Sequence, residues 1–158
     1  DRVAIVAVKN MIYHATLDGD TTYPAEVIPH VLALLLNREL DFITCNRLSM
    51  MDPNAMSMTH KVGNWSLTQA TNILHGIHIH DSQSGMWIFR RCILKEIRLT
   101  SDGMPLSEEI KIETFRRGLN VLEIPVEYRA RIGDVKLNTM EDGTRNLWFL
   151  VTKMADFR

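Results

Sequence analysis

Two aspartates stand one residue apart in Asp18-Gly19-Asp20, after the apolar run Met11–Leu17 and before Thr21-Thr22-Tyr23-Pro24. The run reads as a buried strand and Pro24 as the first turn of a helix. Side chains two apart on a strand share a face, so the spacing predicts two carboxylates projecting together from a strand tip. Ligands bind at such tips in open α/β sheets. Two carboxylates there can hold a hard divalent cation and leave its other positions to phosphate oxygens, as transfer from a nucleotide sugar requires. The competing reading is a loop whose acids cap the next helix.

The histidines offer a second possible metal site. His78 and His80 fall on one face of a predicted strand edge, with His75 nearby. A transition-metal site needs a third or fourth ligand on that face, and edge or core histidines are the simpler reading. Trp87 and Trp148 read as core or interface aromatics before sugar platforms.

These residues need a scaffold. The chain has 158 residues, 46% of them apolar and 23% charged, with a net charge of −1. That suits one globular domain with a proper core. With a near-zero charge and no basic stripe, RRM or zinc-finger pattern, nothing suggests nucleic acid, and no nucleic-acid partner is expected. Two cysteines, Cys45 and Cys92, make no disulfide framework and read as buried thiols in a reducing compartment. No apolar run has the length of a membrane span, and the opening residues show no signal-peptide pattern.

Two apolar runs open the chain, Val3–Val8 and Met11–Leu17, separated only by Lys9-Asn10. Parallel neighbours need a crossover of a dozen or more residues, and Lys-Asn is a poor hairpin turn. A gap near residues 10–11 is therefore expected, together with an N-terminal portion missing from the sheet. Pro24 to Asn37 reads as a helix, with Pro29 either tolerated close to its start or marking a break. Asp41–Cys45 is a short strand delivering Asn46-Arg47 at its end. Ser49 to Met58 is a loop rich in methionine, either a lid or surface that meets something greasy or a segment packed on the core.

Lys61 to His75 is a helix stopped by Gly76. Met86–Phe89 is extended, and Arg91–Ile97 a short helix. Ser107 should cap a helix to Arg117, with acids in its first turn and bases in its last. Leu119–Tyr128 reads as a strand whose Pro125 demands an edge or a bulge. Glu141–Arg158 carries Leu147, Leu150, Val151, Met154 and Phe157 on one face and reads as an amphipathic helix.

Five segments, in order, carry a resemblance. They are Asp18-Gly19-Asp20 with Tyr23-Pro24-Ala25-Glu26-Val27-Ile28-Pro29; Asn46-Arg47; Gly63-Asn64; Asp81-Ser82-Gln83-Ser84-Gly85-Met86-Trp87-Ile88-Phe89-Arg90; and Glu123-Ile124-Pro125-Val126-Glu127-Tyr128 followed by Arg129 to Leu137. Together they resemble the catalytic domain of a family 2 glycosyltransferase, in the dolichol-phosphate mannose synthase branch that acts on polyprenyl phosphates. The resemblance covers residues 11 to about 150.

It implies an α/β fold of GT-A type, a Rossmann-like mixed sheet flanked by helices, with residues 1–140 as catalytic domain. Residues 141–158 would pack on that domain or on the membrane surface, with Arg145, Lys153 and Arg158 near headgroups. Asp18 and Asp20 would bind Mg²⁺ or Mn²⁺ and, with Gly19, the diphosphate of a UDP- or GDP-sugar donor. Arg47, Arg131 and Lys136 would hold the phosphate of a polyprenyl (dolichyl) acceptor, since guanidinium forks and ammonium charges suit phosphate oxygens.

Asp81 is the candidate catalytic base or acceptor-orienting carboxylate, and a turn cap on the simpler reading. Glu108 and Glu109 are second choices, explained equally well as helix-dipole partners. The expected reaction is inverting transfer of a hexose to the lipid phosphate by a peripheral protein on the cytoplasmic face of a membrane, with a second copy of the chain, in a homo-oligomer, among the partners considered. The alternatives are a transferase of the same fold acting on a soluble glycan, and a non-catalytic binding module.

Overall fold

The computed structural model describes residues 3–7, 12–130 and 139–155. Strands β1 (Val3–Ala7), β2 (Tyr13–Asp18), β3 (Phe42–Met51), β4 (Trp87–Arg90) and β5 (Val121–Tyr128) form one mixed sheet in the order β1-β2-β4-β3-β5. β1 pairs antiparallel with β2, Val3 opposite Asp18 and Ala7 opposite His14. Antiparallel neighbours need only a chain reversal, so the crossover expected between these runs is not required. The suspected gap at residues 10–11 lies outside the described residues.

β4 is antiparallel to both β2 and β3, and β3 is parallel to β5. β5 is an edge strand of this sheet, and its register against β3 shifts between Asn46 and Met50. Pro125 lies opposite Asn46 beside that irregularity, where a missing N–H is tolerated. β3 runs six residues past the expected end at Cys45, so Arg47 leaves the sheet from mid-strand at the irregularity.

Alternation along the strands builds a core on each face. Ile43, Cys45 and Ile88 point to one side with Val31 and Leu35 of α1 (Ile28–Asn37). Phe42, Trp87 and Phe89 point to the other with Ile110 of α3 (Pro105–Arg116). Pro29 sits in the first turn of α1, where it is tolerated, after a separate 3₁₀ turn at Ala25–Val27 that breaks the expected helix. α2 (Met58–His75) starts three residues early because Ser57 caps it, and stops at Gly76, whose φ of +65° is left-handed. α3 starts at Pro105, whose fixed φ suits a first helical position, so Ser107 lies inside the helix and is no cap.

Residues 77–81 form no strand, so His78 and His80 share no strand face. Cys45 is buried as expected, with its thiol pushed up to about 12 by burial, but Cys92 is exposed.

α4 (Thr139–Ala155) packs on α2 and α3, with a rotation the apolar stripe does not foretell. Leu150 is buried, but so are Asn146 and Lys153, while Leu147, Trp148 and Val151 are exposed. Lys153 Nζ donates to Glu109 Oε1 at 2.8 Å and sits 3.0 Å from Glu113 Oε1, both on α3. Such a paired ammonium is not available to lipid headgroups, which corrects its expected role. Arg145 is exposed, and Phe157 and Arg158 lie outside the described residues.

Candidate active site

Asp18 ends β2 and lines a cavity of about 430 Å³ together with Arg47, Gln83 and Gly85. Gly19 and Asp20 lie beyond the strand in a bend, so the shared strand face expected for both carboxylates is not formed. Asp20 turns back on the chain instead. Its Oδ1 accepts from Thr22 N at 3.2 Å and from Thr22 Oγ1 at 2.5 Å. The two readings of this motif thus divide between its residues: Asp18 reaches the cavity and Asp20 caps the following turn. Thr21 takes a φ of +65°, which costs a β-branched residue ~1–3 kcal/mol.

Gly85 lies directly against Asp18. A Cβ at this position would stand 2.8 Å and 3.0 Å from the two carboxylate oxygens. The side chain of Asp18 can swing away at little cost in stability, but its place in the cavity would be lost. Gly85→Ala is therefore expected to leave the melting temperature nearly unchanged and to weaken Mn²⁺ binding about tenfold or more, read by titration calorimetry.

The oxygen-only donor set of Asp18 and Asp20 fits a hard cation such as Mg²⁺ or Mn²⁺. Among the described residues no group of three or more His, Cys, Asp or Glu could hold a metal. Ligand oxygens and water would have to complete the shell. The histidines do other work. His78 and His80 meet edge to face at 5.2 Å, His80 Nδ1 lies 2.7 Å from Glu123 Oε2, and His75 Nε2 lies 3.1 Å from the carbonyl of Leu150.

Asp81 and Arg47 form one buried unit. Arg47 donates from Nε to Asp81 Oδ2 at 2.8 Å and from Nη2 to Oδ1 at 2.9 Å, and its backbone N–H adds a third bond at 3.0 Å. The guanidinium also stands 5.4 Å from the ring centre of Tyr128. Burial acts to raise the carboxyl of Asp81, but the Arg47 charge and hydrogen bonds, with Lys111, hold it below the usual range. Both oxygens are engaged and the group is a weak base, so the geometry favours its orienting part over proton abstraction. Arg131 and Lys136 lie outside the described residues.

Glu108 and Glu109 part company although adjacent. Glu109 accepts from the N–H groups of Thr100 and Ser101 and pairs with Lys153. Glu108 is fully buried, accepts from Gln83 Nε2, and leaves Oε2 without a hydrogen-bond partner. Burial pushes its carboxyl up from 4.5 to about 8. The native state then binds one proton more than the unfolded chain over that window. Stability falls as pH rises through it, by up to about 1.4 kcal/mol per unit. Glu108→Gln has no such proton, so its stability relative to the parent should climb from pH 5 to pH 8 in denaturant melts.

Sequence reasoning assigned no role to Tyr23, Gln83, Lys111, Glu123 or Asn146. Gln83 bridges Glu108 and Asn146, whose Nδ2 donates to Gln83 Oε1 at 2.9 Å. Tyr23 accepts from the N–H of Gly85 at 2.9 Å. Tyr23, Gln83 and Glu123 lie inside the quoted motifs, which was a usable signal. Lys111, between Ile110 and Ile112, and Asn146, one step from an apolar stripe, gave none.

No family model matches the chain. It is 34% identical over 128 residues to a Haloferax volcanii protein named dolichyl-phosphate hexose transferase, across 81% of this chain and 55% of that protein. It is 32% identical over 133 residues to glycosyltransferase AglJ of the same organism, across 83% of this chain and 44% of the relative. A Methanococcus voltae protein named UDP-N-acetylglucosamine–dolichyl-phosphate N-acetylglucosaminyltransferase is 27% identical over 126 residues, across 79% and 47% of the two chains.

The chain thus spans about half the length of these curated relatives. In structure it resembles glucosyl-3-phosphoglycerate synthase from Mycobacterium tuberculosis, solved with Mn²⁺, UDP and glucosyl-3-phosphoglycerate. The TM-score is 0.63 at 16% identity, over 90% of this chain and 49% of that one. Over most of its length the chain is thus homologous to archaeal proteins named as glycosyltransferases and dolichyl-phosphate hexose transferases, and its mixed, helix-flanked sheet has the GT-A fold.

Proposed function

We propose that the chain is the catalytic part of a metal-dependent, inverting transferase that moves a hexose from a UDP- or GDP-sugar to polyprenyl phosphate. The observation that carries this reading is the meeting on one cavity of Asp18 and Arg47, the latter held from behind by the buried Asp81. A diphosphate is repelled by the carboxylates of Asp18 and Asp20 unless a cation lies between. Mg²⁺ or Mn²⁺ bound there supplies neutralisation of the charge that develops on the leaving nucleoside diphosphate. The names of the archaeal relatives, and the Mn²⁺ and UDP of the structural neighbour, support the same donor and acceptor classes.

Arg47 supplies fixed positive charge for the acceptor phosphate, held in orientation by Asp81. The second ionisation of a phosphate monoester lies near pH 6, so the nucleophile is anionic at neutral pH and needs no strong base. A phosphate oxygen attacks the anomeric carbon. The bond to the donor diphosphate breaks with its electron pair, and attack from the opposite face inverts the centre. The engaged state of Asp81 favours this acceptor over a sugar hydroxyl, which would need a base. Ala55, Met56, Leu67 and Met104 on the same cavity suit an acceptor with an apolar tail.

No helix among the described residues is long and apolar enough to cross a membrane. We place the contact with the cytoplasmic leaflet at the exposed Leu147, Trp148 and Val151 of α4, in place of the lysine. The test is to offer labelled UDP- and GDP-hexoses with a short polyprenyl phosphate and Mn²⁺ or Mg²⁺. Lipid-linked product from one donor, lost on chelation, is the expected result. Donor hydrolysis without lipid product would move the acceptor to a soluble glycan. Absence of any metal-dependent turnover would leave a binding module.

A further inference from the structure

Residues 81–85 lie in the connection from α2 to β4, without strand or helix, yet Asp81, Ser82 and Ser84 are fully buried. A buried connection must find partners for its backbone groups, because each orphan costs ~1–3 kcal/mol. Here they come from side chains on other segments. Glu123 on β5 accepts from Asp81 N at 2.9 Å, Thr68 on α2 from Ser82 N at 3.0 Å, and Tyr23 from Gly85 N at 2.9 Å. Three carbonyls are held by a single group. Lys111 Nζ on α3 donates to the carbonyls of Asp81, Ser82 and Ser84 at 3.0, 2.8 and 2.9 Å.

An ammonium has three N–H donors, and three carbonyls take them. Lys111 is 0% exposed, an uncommon place for a lysine, and burial brings its pKa down to about 8. Asp81 and Glu123 face it with charge that keeps the proton on, Arg47 opposes, and Glu108 adds to the first two only once it ionises. The turn that Lys111 gathers carries the groups that shape the site: Asp81 against Arg47, Gln83 on the cavity, Gly85 against Asp18.

We propose that Lys111 is a positioning residue of this site, its ammonium tying three carbonyls of the 81–84 turn so that Asp81 meets Arg47 and Gly85 meets Asp18. A planar guanidinium cannot aim three donors from one atom, and methionine matches the length without any donor. Trp87 provides an internal reporter. Its indole N–H donates at 2.6 Å to the Ser84 carbonyl that Lys111 also holds.

The experiment compares the parent protein with Lys111→Met, Lys111→Arg and Val31→Ala, the last a core truncation on α1 chosen to match the loss of melting temperature. In Lys111→Met the Trp87 indole NMR resonance should shift, and amide-exchange protection should be lost at Ser82 to Met86 while the strands keep theirs. Turnover should fall about a hundredfold, as a misplaced reacting group predicts. Lys111→Arg should not rescue, and Val31→Ala should change none of the three.

A folded Lys111→Met with an unmoved indole and a protected turn overturns the proposal. Should that variant fail to fold, the parent decides: Lys111 must show a slowly exchanging ¹⁵Nζ ammonium signal, and a solvent-like one overturns the assignment. Only the turnover arm rests on the transferase reading. A parent that transfers no sugar therefore sinks that reading, and the resonances still judge Lys111.

Discussion

Asp18→Ala is expected to abolish sugar transfer, by more than about a thousandfold, in a protein that folds as before. The loss follows from where the carboxylate lies. Asp18 ends β2 on the cavity wall, whereas Asp20 spends Oδ1 on Thr22 in the turn beyond. Removing Asp18 takes the cavity-lining one of the two carboxylates proposed to hold the metal, and among the described residues no group of three or more His, Cys, Asp or Glu stands ready to replace it. Several kilocalories of leaving-group stabilisation go with it. The fold should survive, because Asp18 is half-buried at a strand end and outside both core clusters. Mn²⁺ titration and circular dichroism on the same sample separate the two effects. A variant that keeps full transfer would remove the metal assignment. Asp20→Ala should cost less in transfer and more in the local order of the 20–22 turn.

Arg47→Met should destabilise the protein by ~3–5 kcal/mol and also stop transfer, since it leaves the Asp81 carboxylate buried without its cation. For a domain of this size that is a fall of about 10 °C in melting temperature. The side chains of the pair are 8% and 0% exposed, so water cannot replace the partner. Asp81→Asn is expected to lose less stability, because the amide oxygen still accepts from the guanidinium. A double variant, Arg47→Met with Asp81→Leu, should recover much of the loss while staying inactive. That recovery would separate the structural role of the pair from its role toward phosphate.

The acid limb carries a further sign. The folded pKa of Asp81 lies below its ordinary value of 3.8. Its contribution is therefore complete above about pH 4 and is lost as pH falls through the folded value. Denaturant melts from pH 6 to pH 3 should show a shallower acid loss in Asp81→Asn than in the parent.

Several features of the fold were legible before any coordinates. Gly76 stops α2 in a left-handed conformation, Pro29 follows a break, and Pro125 sits on an edge strand beside a register shift. Each is a local rule: a missing Cβ or a missing N–H restricts the backbone within a turn of itself. The five ordered segments also pointed to the fold and to the enzyme class that the homologues and the structural neighbour support.

Other expectations failed where a partner comes from far along the chain. The acids of α3 read as helix-dipole partners in its first turn, yet Glu108, Glu109, Lys111 and Glu113 are all buried. Their counterparts lie on α4, on the 81–84 turn and on the 98–101 segment, at sequence distances that periodicity does not sample. The same cause rotates α4, where Asn146 and Lys153 find buried partners and Leu147, Trp148 and Val151 are left outside. Hydrophobic patterning assumes that charge faces water, and a charge met by opposite charge breaks that assumption.

The residues alone set the helix stops, the strand order along the chain, and the presence of acids beside a strand tip, because these depend on backbone sterics over a few positions. They could not say that Asp18 reaches the cavity while Asp20 caps a turn. Nor could they say that Asp81 is held by an arginine 34 residues away, or that Lys111 gathers three carbonyls at once. What a carboxylate or an ammonium does depends on the dielectric and the charges around it. In this protein those surroundings are assembled from β3, β5, α2, α3 and α4, and exist only when the chain has closed on itself.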